Sequence, residues 1–209
     1  MYSNTGSFTV YKIIVILFIF LLFGCGEKKN NPSSDIEMKF NIDKAKIGAA
    51  VSDSNYGLNF NPPVDWQKIN DKQFTKAVKA INNAMAKEKE ISVVPLYIFV
   101  KANSTCILNI AEVRIDSAAG DFNSKVSRYE NLMMQNLDST KVKKAVYIKD
   151  GIKIAQLLIQ ENNIVNFRLL FLNGTGKLIQ FDYIAGIKDY SNEVKAIESS
   201  IGSIQITKI

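Results

Sequence analysis

Apolar positions divide the chain into three stretches. Residues 13–23 form an unbroken apolar run of eleven, Ile13 to Phe23. That length suits a signal-peptide core and falls short of the eighteen or more that a spanning helix needs. From Gly26 to about Asp43 the pattern is lost, and Glu27-Lys28-Lys29-Asn30-Asn31-Pro32-Ser33-Ser34-Asp35 is polar throughout. Such a stretch reads as a flexible tether, roughly 20 residues spanning on the order of 25 Å root-mean-square. From about Lys44 to Ile209 apolar residues return with regular periods, over enough chain for one domain with a sizeable core.

Within that domain the periods predict alternating strands and helices. Leu58 and Phe60 share a face of a first strand that Pro62-Pro63 stops. From Asp71 to about Lys89, Phe74, Val78, Ile81 and Met85 recur at helical spacing. Leu96 to Val100 and Cys106 to Ile115 read as an antiparallel pair around a turn at 101–104. Asp121 is placed to cap a second helix with Phe122, Val126, Tyr129 and Met133 on its inner face. Asp150-Gly151 is a strong two-residue hairpin signal between strands 144–149 and 152–160. A further pair, 164–172 and 177–185, flanks Asn173-Gly174-Thr175-Gly176. Both of those strands carry apolar residues on both faces, so the sheet is expected to be covered on both sides. A last helix, from Tyr190 to about Ser199, and a short strand within 203–208 close the chain.

The end of the apolar run carries chemistry. Leu22-Phe23-Gly24-Cys25 resembles the lipobox of bacterial lipoproteins, with Lys12 as the positive residue before the core. The resemblance implies cleavage between Gly24 and Cys25 and a diacylglycerol thioether on the Cys25 sulfur. Acyl chains contribute about 0.8 kcal/mol per buried CH₂, so two or more anchor stably. The protein is then held to a membrane of the bacterial envelope. Gly26, rather than Asp, after the cysteine points to the outer membrane by resemblance to proteobacterial sorting. The alternative, a short membrane helix with an incidental cysteine, is disfavoured by the length of the run and by the polar residues that follow.

Charge and composition exclude more than they assign. The full chain has 26 basic and 20 acidic residues, a net charge of +6. Removing residues 1–24 takes away only Lys12. Arg114, Arg128 and Arg168 are its only arginines. Dispersed lysines are the mark of a solvated surface, and arginine is the usual bidentate phosphate reader, so nucleic acid is not expected as a partner. The sequence contains no histidine. That removes Ser-His-Asp triads, Cys-His pairs and histidine-ligated zinc. With Cys25 lipidated, Cys106 stands alone, so no intramolecular disulfide is available, and a buried thiol is the expected reading.

The remaining candidates are weak. Trp66, after two prolines at a strand end, reads as a core plug rather than a binding residue. Asn173-Gly174-Thr175-Gly176 lacks the following helix and Lys-Ser/Thr pair of a phosphate loop and reads as a hairpin turn. Glu112, Asp116 and Asp121 lack the alternating oxygen-ligand spacing of a calcium loop. No catalytic residue, metal ligand or cofactor is expected.

Three stretches together resemble the PsbP-like fold. They are Tyr56-Gly57-Leu58-Asn59-Phe60-Asn61-Pro62-Pro63-Val64-Asp65-Trp66, the hairpins from Val146 to Ala185, and Phe181-Asp182-Tyr183-Ile184 followed by the helix through Ile197-Glu198-Ser199-Ser200-Ile201. The resemblance implies an α+β protein, an α/β/α sandwich whose antiparallel sheet is flanked by helices. Its domains are then a signal peptide over 1–24, a lipidated tether over 25–43 and a globular domain over 44–209. The theme of such domains is protein binding without catalysis, which here implies a partner in the envelope and a role in assembly or maintenance. The alternative is a small-ligand-binding lipoprotein with a pocket between the sheet and the first helix or its preceding loop.

Overall fold

The computed structural model describes residues 36–116, 120–133 and 139–207. The signal peptide, Gly24, Cys25 and most of the expected tether lie outside the described residues. In chain order the elements are β1 (Ile36–Glu37), β2 (Val51–Asp53), β3 (Leu58–Phe60), β4 (Trp66–Lys68), α1 (Asp71–Met85), β5 (Ile91–Lys101) and β6 (Ile107–Ile115). They continue with α2 (Phe122–Met133), β7 (Val142–Lys149), β8 (Ile152–Glu161), β9 (Ile164–Leu172), β10 (Leu178–Gly186), α3 (Ile187–Ser203) and β11 (Gln205–Ile206). The main sheet has the order β1-β7-β8-β9-β10-β6-β5-β4, antiparallel except where β1 lies parallel to β7. A small antiparallel sheet, β11-β3-β2, packs beside it. This is the α+β sandwich expected from the sequence.

The period of two along the long strands builds two cores. One face carries Leu108, Ile110, Ile154, Leu169, Phe171, Ile179, Phe181 and Tyr183. Against it lie Ile197 and Ile201 of α3, Ile204, and Leu58 and Phe60 of the small sheet. The opposite face carries Val113, Ala155, Leu157, Leu170 and Leu178, covered by Phe122, Val126 and Tyr129 of α2. Each fully buried aliphatic or aromatic side chain is worth roughly 1.5–3 kcal/mol over exposure. The turns are set locally. Asp150 and Gly151 both have positive φ (49° and 79°), as do Asn162 and Asn163 (48° and 63°), the geometry that matches strand twist in two-residue hairpins.

Several boundaries differ from the sequence reading. Strand β5 begins at Ile91, ahead of the expected Leu96, and runs through Pro95; a register shift between Pro95 and Tyr97 absorbs the missing N–H. Strand β4 is three residues long, too short to show a period. Helix α1 starts on an Asn70–Gln73 capping box, as good helices do, but buries none of its residues completely. Its stripe of Phe74, Val78, Ile81 and Met85 is only half-covered, so α1 lies at the margin of the domain and not in its core.

The largest departure is at the start. Residues 36–43, expected to belong to the tether, are folded onto the domain. The Met38 amide donates to the Ile148 carbonyl at 2.7 Å, the Phe40 and Tyr147 rings lie 5.9 Å apart, and the Asp43 amide donates to Ser199 Oγ at 3.2 Å. Gly202 on α3 makes room for this strap. A Cβ there would stand 2.8 Å from Phe40 Cβ and 2.9 Å from Ile42 Cγ1. Ala gains about 1 kcal/mol of helix propensity over Gly, but overpacking costs about 1–3 kcal/mol. At the middle of that range the net cost is about 1 kcal/mol, and Gly202→Ala is expected to lower the melting temperature by roughly 2–4 °C. An unchanged or higher melt would show that residues 40–42 do not seat on α3.

Candidate functional site

A polar row crosses the apolar sheet on the face that α2 covers. Strand register aligns Leu157, Arg168, Asp182, Asn109 and Ile98 across β8, β9, β10, β6 and β5. Arg168 Nε and Nη2 donate to the two Asp182 oxygens at 2.6 and 3.2 Å. Gln180 Nε2 donates to Asp182 Oδ2 at 2.6 Å, and the Tyr129 hydroxyl donates to Gln180 Oε1 at 2.7 Å, which ties α2 to the row. Burial alone pushes the Arg168 guanidinium down, but the Asp182 carboxylate and the Tyr129 hydroxyl more than reverse it, and its pKa is raised. The Oδ1 atoms of Asn109 and Asn166 are buried without a partner. Arg168 and Asp182 satisfy one another, which suits them to holding helix and sheet in register.

At the end of the sheet formed by the β9–β10 turn and the C-terminal end of β6, a second set of polar groups surrounds an open cleft of about 230 Å³. Asn173 builds the turn. Its Oδ1 accepts from the amides of Thr175 (3.1 Å) and Lys177 (2.9 Å), and its Nδ2 donates to the Tyr56 carbonyl at 3.0 Å. The cleft is lined by Glu112, Arg114, Lys125, Thr175, Gly176 and Lys177, with Val113, Ile115 and Leu178 behind. Glu112 is buried and saturated. It accepts from Arg114 Nε at 2.9 Å and Nη2 at 3.1 Å and from the Tyr56 hydroxyl at 2.9 Å, with Lys177 Nζ at 3.8 Å. The Arg114 hydrogen bonds hold its carboxyl below the usual carboxylate range against the opposing effect of burial. Lys125 Nζ donates to the Gly176 carbonyl at 2.8 Å, and Lys177 Nζ lies 4.7 Å from the centre of the Tyr56 ring. No residue of α1 lines this cleft.

The other sequence candidates fall as follows. Trp66 is buried, and its Nε1–H donates to Glu193 Oε2 at 3.0 Å, while Lys101 Nζ meets Oε1 of the same carboxylate at 2.5 Å. The core-plug reading holds. Cys106 is buried and burial pushes its thiol pKa up, so it stands as a thiol and not a reactive thiolate. Glu112, Asp116 and Asp121 are not brought together. Glu112 faces Arg114, and Asp121 Oδ1 accepts from the Ser124 amide at 2.9 Å as an N-cap. Among the described residues no cluster of three metal-ligating side chains occurs. Gly24 and Cys25 lie outside the described residues. No helix among the described residues is long and apolar enough to cross a membrane.

Sequence reasoning missed both polar sets. The Arg168–Asp182 pair was readable in principle, since both residues lie at the same distance from Thr175 and a hairpin centred there aligns them. The convergence of Arg114, Lys125 and Lys177 was not, because it joins a strand end, a helix and a turn far apart in sequence.

No family model matches the chain, and no curated protein matches it. Among solved structures the chain is similar to cyanobacterial PsbP from Synechocystis sp. PCC 6803, determined in solution, with 14% sequence identity. The match covers 87% of this chain and 100% of that one, at a TM-score of 0.49.

Proposed function

We propose that the protein is a non-catalytic lipoprotein of the bacterial envelope, anchored in the outer membrane through Cys25, whose folded domain binds another envelope protein and supports its assembly or maintenance. The observation that carries the protein-binding part is the β1–β7 edge of the main sheet, where exposed aliphatic side chains stand beside Lys143 and Lys144. Ile36 (70% exposed), Met38 (40%) and Val146 (47%) gather where β1 meets β7. Among the described residues β1 pairs only with Tyr147 and Ile148, so Val142 to Val146 present an outer edge with no strand beside it. An edge with no neighbour among the described residues and exposed aliphatic groups together form a surface that a second chain can extend. Photo-cross-linking from position 146 in intact cells, with position 188 on α3 as control, tests this. A reproducible protein adduct at 146 alone is the expected result, and adducts at neither position would sink the reading.

Anchoring rests on Leu22-Phe23-Gly24-Cys25. The thioether needs the Cys25 sulfur, which Ser cannot supply. Cys25→Ser is expected to abolish metabolic labelling with a palmitate analogue while changing stability by less than about 0.5 kcal/mol, as for a surface position. Labelling that persists in the Ser variant would overturn the lipoprotein assignment.

A further inference from the structure

We infer that the cleft between Arg114, Lys125 and Lys177 binds a phosphate group, as a phosphomonoester or phosphodiester. The lining holds three cations and one carboxylate. That carboxylate is spent, because Glu112 takes two hydrogen bonds from Arg114 and one from Tyr56. Its single charge is shared by Arg114 and, at 3.8 Å, by Lys177, so the lining keeps a net charge of +2.

The three cations are also held where an oxyanion can meet them. Arg114 uses Nε and Nη2 on Glu112, which fixes the guanidinium plane and leaves Nη1 without a protein partner among the described residues. Its side chain is 57% exposed. Lys125 is half-buried, and its donation to the Gly176 carbonyl uses one of three ammonium hydrogens. Lys177 rests on the Tyr56 ring with its side chain 42% exposed. Ammonium and guanidinium groups that are already oriented lose less entropy on meeting an anion than free surface lysines do. The Thr175 side chain completes the polar rim. A group of charge between −1 and −2 with several acceptor oxygens matches a lining of net charge +2 with three cationic donors better than a single carboxylate does.

The turn thus contributes to a phosphate site without being a phosphate loop. Its Asn173 is consumed in folding the turn, and the charge comes from β6, α2 and Lys177. The phosphate can come from an anionic lipid headgroup or from a soluble phosphorylated molecule. This inference goes beyond the proposed protein partner and does not depend on it.

Calorimetric titration of inorganic phosphate into the full chain tests the site, with the acylated protein held in phosphatidylcholine nanodiscs and ionic strength matched by chloride. Saturable one-site binding is expected. Lys125→Gln combined with Lys177→Gln should weaken it at least tenfold while the melting temperature stays within about 3 °C, because Lys177 is exposed, Lys125 is only half-buried and Gln keeps much of each side chain. Lys188→Gln combined with Lys195→Gln, on exposed positions of α3, should leave it unchanged. Repeating the titration in phosphatidylglycerol nanodiscs separates the two sources. Loss of phosphate binding there identifies the headgroup as occupant, and retained binding identifies a soluble ligand. Absence of saturable heat, equal binding by the Lys125/Lys177 variant, or equal weakening by the α3 variant would each overturn the site. If the chain is isolated without lipid, the titration proceeds in plain buffer with vesicles in place of nanodiscs. The anchoring proposal then fails and the phosphate site is still tested.

Discussion

Arg168→Met is expected to destabilise the domain by about 3–5 kcal/mol, among the largest losses available to a single substitution in this chain. Among the described residues the guanidinium is the only cation on Asp182, and both side chains are largely buried between the sheet and α2. Removing it leaves a carboxylate in a low-dielectric setting with only the Gln180 amide as donor. Solvation lost on burial is then uncompensated, which is why breaking such a pair costs more than the pair contributes. Arg168→Met combined with Asp182→Leu should recover most of the loss, since two apolar groups of similar volume need no partners. Urea unfolding of the three variants measures this. A loss below about 1 kcal/mol for Arg168→Met would mean that water reaches the pair.

Trp66→Ala is expected to cost about 3–5 kcal/mol, the usual range for removing a buried aromatic side chain. The indole fills the space between β4 and α3, and its N–H satisfies one oxygen of the buried Glu193. Trp66→Phe separates the two contributions. It keeps most of the packing and removes the donor, so about 1–2 kcal/mol is expected, with Lys101 still holding the other Glu193 oxygen. Thermal unfolding that shows Trp66→Ala as nearly neutral would contradict its burial and return the residue to the binding surface.

Much of the fold was legible because its signals are local. Asp150-Gly151 fixed the register of β7 on β8, and apolar residues on both faces of β9 and β10 announced a sheet covered on both sides. Asp121 was readable as a cap because a carboxylate three residues ahead of an amide is a short-range geometry. The misses share a cause as well. Strand β4 and the strap over 36–43 have too few residues to show a period, and they are held by partners more than 100 residues distant, such as Ser199 for Asp43 and Glu193 for Trp66. Strand β5 was shortened in the reading because Pro95 has no N–H to give; the register shift beside it removed the penalty.

The sequence by itself determined the order of the three helices and the long strands, the two-sided sheet, the absence of histidine and the motif around Cys25. These depend on residue type and near-neighbour spacing, which the chain carries in one dimension. Only the tertiary structure decided that α1 is left half-covered, that residues 36–43 fold onto β7 and α3, and that Arg168 and Asp182 share a buried row. It also decided that Arg114, Lys125 and Lys177 surround one cleft. Charges on separate elements acquire a common function only when strand register and helix packing fix the distances between them, and those distances are set by burial of apolar faces far from the charges themselves.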